Sequence, residues 1–158
     1  MNVSVYLGSS TTCLEEYNDL AYELGRKLCE AGHTLVYGGA DVGTMKYLAD
    51  GAASVNGRVV GVFPRGFNGT VEVQGKKIIR EDLSEMVWTA DFAERKKVME
   101  NRSDCCVVMP GSFGTLDELF TYACDRSISE HSNRILILNH KGYYTPLVHM
   151  LDNMDKAG

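Results

Sequence analysis

The sequence predicts an α/β protein, a parallel β-sheet flanked by helices, and three observations predict it. Short β-branched or apolar runs alternate with longer stretches of helical period, which is how βαβ units read in a sequence. Glycine gathers at the junctions where such a strand passes into a helix, as at Gly38 to Gly43 and Gly111 to Gly114. The length of 158 residues with 44% hydrophobic content suits one continuous core, so residues 1–158 read as a single α/β domain.

Val3 to Leu7 reads as the first strand, followed by a turn through Gly8, Ser9 and Ser10. Leu14, Tyr17, Leu20, Ala21, Leu24 and Leu28 then trace one face of a helix that Gly32 caps. Thr34 to Tyr37 is the second strand, Gly38 to Gly43 a glycine-rich loop and Thr44 to Ser54 a helix. Arg58 to Phe63 is the third strand, with Pro64 at its end, and Arg65 to Lys77 is a Gly-rich polar excursion that shapes access to a site. A helix at Ala93 to Asn101 leads to Cys105 to Met109, the near-continuous apolar run of a buried parallel strand. Pro110 to Gly114 is its turn, Thr115 to Cys124 a helix, Arg134 to Leu138 the next strand and Thr145 to Asp155 a last helix.

A net charge of −5 gives no general attraction to a nucleic acid backbone or an anionic membrane, so neither is expected as a partner. Met1 to Gly8 has no basic, apolar leader, and no segment reaches a membrane-spanning length, so a cytoplasmic protein is expected. Cys13, Cys29, Cys105, Cys106 and Cys124 form no C-x-x-C pair and read as reduced thiols. His33, His131, His140 and His149 lack the spacing of a helical zinc pair, so no metal site is expected.

The strongest local signal is Pro110-Gly111-Ser112-Phe113-Gly114-Thr115-Leu116-Asp117-Glu118, between a buried strand and a helix. Its glycines admit a ligand close to the backbone, and free N–H groups at a helix start suit a phosphate. Thr115 to Glu118 equally fits a capping box, in which Glu118 turns back to the Thr115 backbone. Asp117 and Glu118 in a first helical turn would repel a phosphate, so cations from elsewhere must offset them. Phe92, Arg95, Lys96 and Met99 share a helix face and supply such cations, either as snorkelling stems or as the wall of an anion pocket. Gly38 to Gly43 lacks the G-x-G-x-x-G dinucleotide spacing, and a Walker loop is absent as well.

In this order the motifs resemble the LONELY GUY family of cytokinin-activating phosphoribohydrolases, often mislabelled as lysine decarboxylases. The family pattern P-G-G-x-G-T-x-x-E corresponds to Pro110 to Glu118, and its M-H-E-R-K helix to Phe92-Ala93-Glu94-Arg95-Lys96. The Gly38-Gly39 turn is similar to the family's G-G-G-x-x-G-L-M-G, with Ala40 and Thr44-Met45-Lys46 as differences. Ser112 stands at the second glycine of P-G-G, where a positive φ would strain it, and its hydroxyl adds a phosphate donor.

The resemblance implies a Rossmann-like fold, a homodimer, a further C-terminal helix in other members, and no metal or organic cofactor. It implies hydrolysis of a purine nucleoside 5′-monophosphate, adenosine or N6-modified adenosine, to free base and ribose 5-phosphate. It assigns catalysis to Arg95 and Glu118, and substrate binding to Lys96 and the loop residues Gly111, Ser112, Phe113, Gly114 and Thr115. Since a guanidinium keeps its proton, Arg95 is a positioning and charge-stabilising group rather than an acid. A catalytically silent nucleotide-binding module is the alternative. A lysine decarboxylase would need a Schiff-base lysine, and no spacing singles out Lys46, Lys96 or Lys97.

Overall fold

A computed structural model describes residues 1–10, 14–65, 72–73, 76–128 and 130–158. Six parallel strands form one sheet in the order β6-β3-β2-β1-β7-β8. They are β1 (Asn2–Tyr6), β2 (Thr34–Tyr37), β3 (Val59–Pro64), β6 (Glu85–Thr89), β7 (Cys105–Val108) and β8 (Arg134–Ile137). Chain order runs outward from β1 in one direction to β6 and in the other to β8, so β1 and β7 flank the point where the winding reverses. Crevices beyond the carboxyl ends of strands at such a point are where open α/β sheets bind ligands.

Alternation along the strands sends side chains to two cores. On one face Val3, Val5, Leu35 and Val59 pack beneath α1 (Glu15–Glu30) and α2 (Gly43–Ala53), which contribute Ala21, Leu48, Ala49 and Ala52. On the other, Tyr6, Val36, Val60, Val62, Cys106 and Val108 pack beneath α3 (Phe92–Asn101) and α4 (Phe113–Ser127), which contribute Met99, Leu119 and Tyr122. The last helix, α5 (Thr145–Ala157), follows a 3₁₀ turn at His140–Gly142 and lays Leu147 against the second core.

The apolar face read from the sequence does seat α1, since Leu20, Leu24 and Leu28 pack on the first core. Gly32 closes that helix at φ +76°, where the His33 N–H bonds the Leu28 carbonyl and the Gly32 N–H bonds that of Cys29. No strand is predicted between Pro64 and α3, yet β6 pairs with β3 along the sheet edge. Much of the predicted Arg65 to Lys77 excursion lies outside the described residues. Within it β4 (Glu72–Val73) and β5 (Lys76–Lys77) pair as a small antiparallel ladder.

Cys13 also lies outside the described residues; Cys105 and Cys106 are buried free thiols, whereas the Cys124 thiol is exposed. No helix among the described residues is long and apolar enough to cross a membrane.

Candidate active site

Two consecutive helices, α3 and α4, meet over the carboxyl ends of β1, β2 and β3. α3 begins at an N-cap, Asp91, whose carboxylate accepts the Glu94 N–H at 2.8 Å. One turn in, Arg95 points at the sheet: its Nε donates to the Val62 carbonyl at 3.0 Å and its Nη1 lies 3.2 Å from Glu118 Oε1 of α4. Only 8% of Arg95 and 6% of Glu118 is exposed, so the ion pair is almost wholly out of water.

Two neighbours make room for that guanidinium. Gly38 follows the last residue of β2, and a Cβ there would stand 2.1 Å from Arg95 Nη2. The Phe92 ring lies 5.8 Å from the guanidinium carbon, within cation–π range. Burial pushes the Glu118 carboxyl up to about 7 from 4.5, against the pull of Arg95. A carboxyl that titrates near neutrality can work as a base without being locked in either state.

α4 starts two residues earlier than the sequence suggests. Its N-cap is Ser112, and Thr115 lies inside the first turn, so the capping box at Thr115 does not form; Glu118 turns to Arg95 instead. The earlier start also moves Asp117 and Glu118 out of the first turn, which carries no acidic residue. Each of the two is matched by a cation of α3, because Lys96 Nζ holds Asp117 at 2.8 and 2.9 Å and reaches Thr121 Oγ1 at 3.0 Å. Arg95 and Lys96, read together as one cationic face, therefore do different things: the first goes inward to Glu118, the second stays at the rim.

The Ser112 side chain makes no capping bond, in contrast to Asp91 on α3. Its φ of −104° is an ordinary extended value, so a serine carries no strain in place of the family's glycine. The first-turn N–H groups of α4 thus begin at an end that no side chain closes, beside a cavity that Ser112, Gly114 and Thr115 line. Gly111 is required just before it, since a Cβ would lie 2.1 Å from the buried Thr115 hydroxyl. Phe113 is 90% exposed and points away from the core.

Sequence reasoning missed the residues that hold this loop in place. Tyr144 donates its hydroxyl to the Met109 carbonyl at 2.7 Å, and Tyr143 donates to that of Gly111 at 2.7 Å. Two adjacent tyrosines before a Pro-containing helix start carry no recognised pattern, so no local signal marks them. Gly8 and Ser9 after β1 and Met45 of α2 also line the site, and the Thr44 hydroxyl secures that wall by donating to the Gly8 carbonyl.

The result is a pair of joined cavities. One, of about 250 Å³, is polar and contains Arg95, Lys96, Glu118 and the open end of α4. The other, of about 400 Å³, is walled by Ala40, Val42, Phe63, Pro64 and Ile78. Both include Ser9, Met45, Phe92 and Arg95. An uncapped helix start, a buried ion pair and an apolar chamber in series suit a phosphorylated ligand with an uncharged ring at its far end.

The curated relatives that the chain matches in sequence share one description, cytokinin riboside 5′-monophosphate phosphoribohydrolase. Residues 45–158 match a family described as possible lysine decarboxylase. Over 150 residues the chain is 34% identical to the cytokinin riboside 5′-monophosphate phosphoribohydrolase LOG5 of Arabidopsis thaliana, covering 95% of this chain and 63% of that protein. It is also 34% identical over 156 residues to the cytokinin riboside 5′-monophosphate phosphoribohydrolase of Mycobacterium tuberculosis, covering 99% of this chain and 80% of that one. The solved structure of TM1055 superposes with a TM-score of 0.65 at 28% identity, over 78% of this chain and 68% of that one. The molybdenum cofactor carrier protein of Chlamydomonas reinhardtii shares the fold, with a TM-score of 0.68 at 20% identity over 86% of this chain and 74% of that one. The chain spans 63% of the length of LOG5, a little under two thirds.

Proposed function

This chain belongs to the family of the cytokinin riboside 5′-monophosphate phosphoribohydrolases, and from that membership we propose that it cleaves the N-glycosidic bond of a purine nucleoside 5′-monophosphate, adenosine or N6-modified adenosine, to free base and ribose 5-phosphate. The observation that carries the reading is the buried Arg95–Glu118 pair, with Glu118 lining the polar cavity and Arg95 bordering both it and the apolar one. In this reading the 5′-phosphate sits at the loop Gly111 to Thr115 with Lys96 beside it, the ribose faces Glu118, and the base occupies the apolar chamber.

Departure of the base leaves an oxocarbenium-like sugar. The Glu118 carboxylate stabilises that charge and takes a proton from the water that adds to the anomeric carbon. Arg95 fixes the carboxylate and the sugar phosphate without giving up a proton. The base nitrogen receives its proton from solvent.

The family description would call for pyridoxal phosphate on a lysine, and the described residues do not fit that group. Lys96 is the lysine that lines the polar cavity, and its ammonium is held by Asp117 and Thr121; Lys46 is paired with Asp50 and Lys97 with Glu100. The working unit is proposed to be a cytoplasmic homodimer, in keeping with the exposed Phe113, Phe120 and Ile128 along α4.

The decisive test is a panel of purine nucleoside 5′-monophosphates and the matching nucleosides, scored for free base. Release from the monophosphates alone supports the reading, whereas tight binding without release makes the chain a silent nucleotide-binding module.

A further inference from the structure

We propose that Phe92 is the base-recognition residue of this site, the face on which the purine ring stacks; the inference deepens the reading above and rests on it. A nucleotide whose phosphate lies in the polar cavity and whose base lies in the apolar one must cross between them at its glycosidic bond. The side chains at that crossing are the ones both cavities share: Ser9, Met45, Phe92 and Arg95. Of these four, Phe92 alone offers an aromatic face.

The position of the ring fits that task. Phe92 is the first residue of α3, next to the Asp91 cap that fixes the helix start, so its backbone is held. It is 48% exposed although large and apolar, and the area it shows borders both cavities. Its ring already associates with the Arg95 guanidinium at 5.8 Å. A base laid against the ring would share with it the neighbourhood of the Arg95 guanidinium, with the glycosidic bond close to the Arg95–Glu118 pair. Stacking of a base on an aromatic side chain is tolerant of substituents on the base, because every base has a π-face. The site therefore takes aromatic bases as a class, and the walls of the apolar chamber sort among them.

The test compares binding of AMP and of ribose 5-phosphate by calorimetry in the wild type, Phe92→Leu and Phe92→Trp, with base release measured alongside. Phe92→Leu is expected to weaken AMP about tenfold and to leave ribose 5-phosphate within about twofold, because only AMP carries the ring. Phe92→Trp should restore AMP binding. Unchanged ribose 5-phosphate affinity also reports that Arg95 has kept its place. Equal weakening of both ligands, or no weakening of AMP in an active protein, overturns the role of Phe92 and leaves the phosphoribohydrolase reading standing. A wild type that neither binds nor cleaves any purine nucleoside monophosphate removes both.

Discussion

A methyl group on Gly38 would lie 2.1 Å from the Arg95 guanidinium, so the smallest residue of β2's exit and the largest cation of the site occupy one shared space. Arg95 is tied on its other sides to the Val62 carbonyl and to Glu118, which leaves it little freedom to step aside. Gly38→Ala should therefore fold but mis-set the guanidinium, and a displacement of about 1 Å at such a group costs roughly a hundredfold in rate. Single-turnover base release from AMP measures it; a rate within threefold of wild type would mean that Arg95 is not positioned by this contact.

Glu118→Gln keeps the shape of the side chain and removes its charge and its basicity. Base release is expected to fall by about 10² to 10⁴, while AMP binding stays within a few-fold. Loss of binding in step with rate would make Glu118 a ligand contact only.

The Glu118 carboxyl also sets a pH dependence. Its folded value of about 7 lies above the unfolded 4.5, because burial opposes the charged form more than Arg95 favours it. Below about 4.5 both states hold the proton; between those values the folded chain alone holds it. The stability this group contributes in acid is therefore lost as pH rises through about 7, by an amount on the order of 3 kcal/mol. Denaturant midpoints of wild type should fall relative to Glu118→Gln between those two pH values, then run parallel above. Over the same range the ionised carboxylate appears, so kcat/KM for AMP should climb to a plateau above about 7. A rate that falls with rising pH would assign Glu118 the role of an acid.

Asp117 holds Lys96 at the cavity rim, with 62% of the Asp117 side chain exposed. Asp117→Asn releases that ammonium and lowers local negative charge, so AMP affinity should improve by roughly threefold at low salt and less at high salt. Lys96→Met should shift it the other way. An Asp117→Asn protein that binds AMP no better would place Lys96 outside the phosphate's reach.

Much of the fold is legible because its central strands β1, β2, β3 and β7 are largely buried on both faces and its helices carry one apolar stripe. β1, β2, β3, β7 and β8 and all five helices were expected close to where they lie. β6 was not: β8 is an edge strand too, but it keeps the apolar run Ile135 to Leu138, whereas Glu85-Met86-Val87-Trp88-Thr89 sets its few apolar residues between a charge and a polar end. Strand order was not legible either, because nothing local states which strands become neighbours. In the site, the type of each charged residue could be read but not its partner. Arg95 and Lys96 differ by a single step around the helix, enough to send one guanidinium inward and leave one ammonium at the rim. The Tyr144 hydroxyl was invisible for the same reason, as its acceptor, the Met109 carbonyl, comes from another part of the chain. Tyr144→Phe should cost about 1–2 kcal/mol through that unsatisfied buried carbonyl and raise the KM for AMP through a looser loop, measured by thermal denaturation and initial rates.

The winding of the sheet gives the ion pair a second consequence. α3 leaves from β6, the outermost strand on one flank, while α4 leaves from β7 on the other side of β1. Arg95 and Glu118 thus arrive from opposite wings of the molecule: Arg95 buried alone would be an uncompensated cation, whereas Glu118 buried alone would keep its proton. With the α3 wing alone assembled, the Arg95 guanidinium would lack the carboxylate that faces it. The pair therefore closes only where both wings of the sheet are in place.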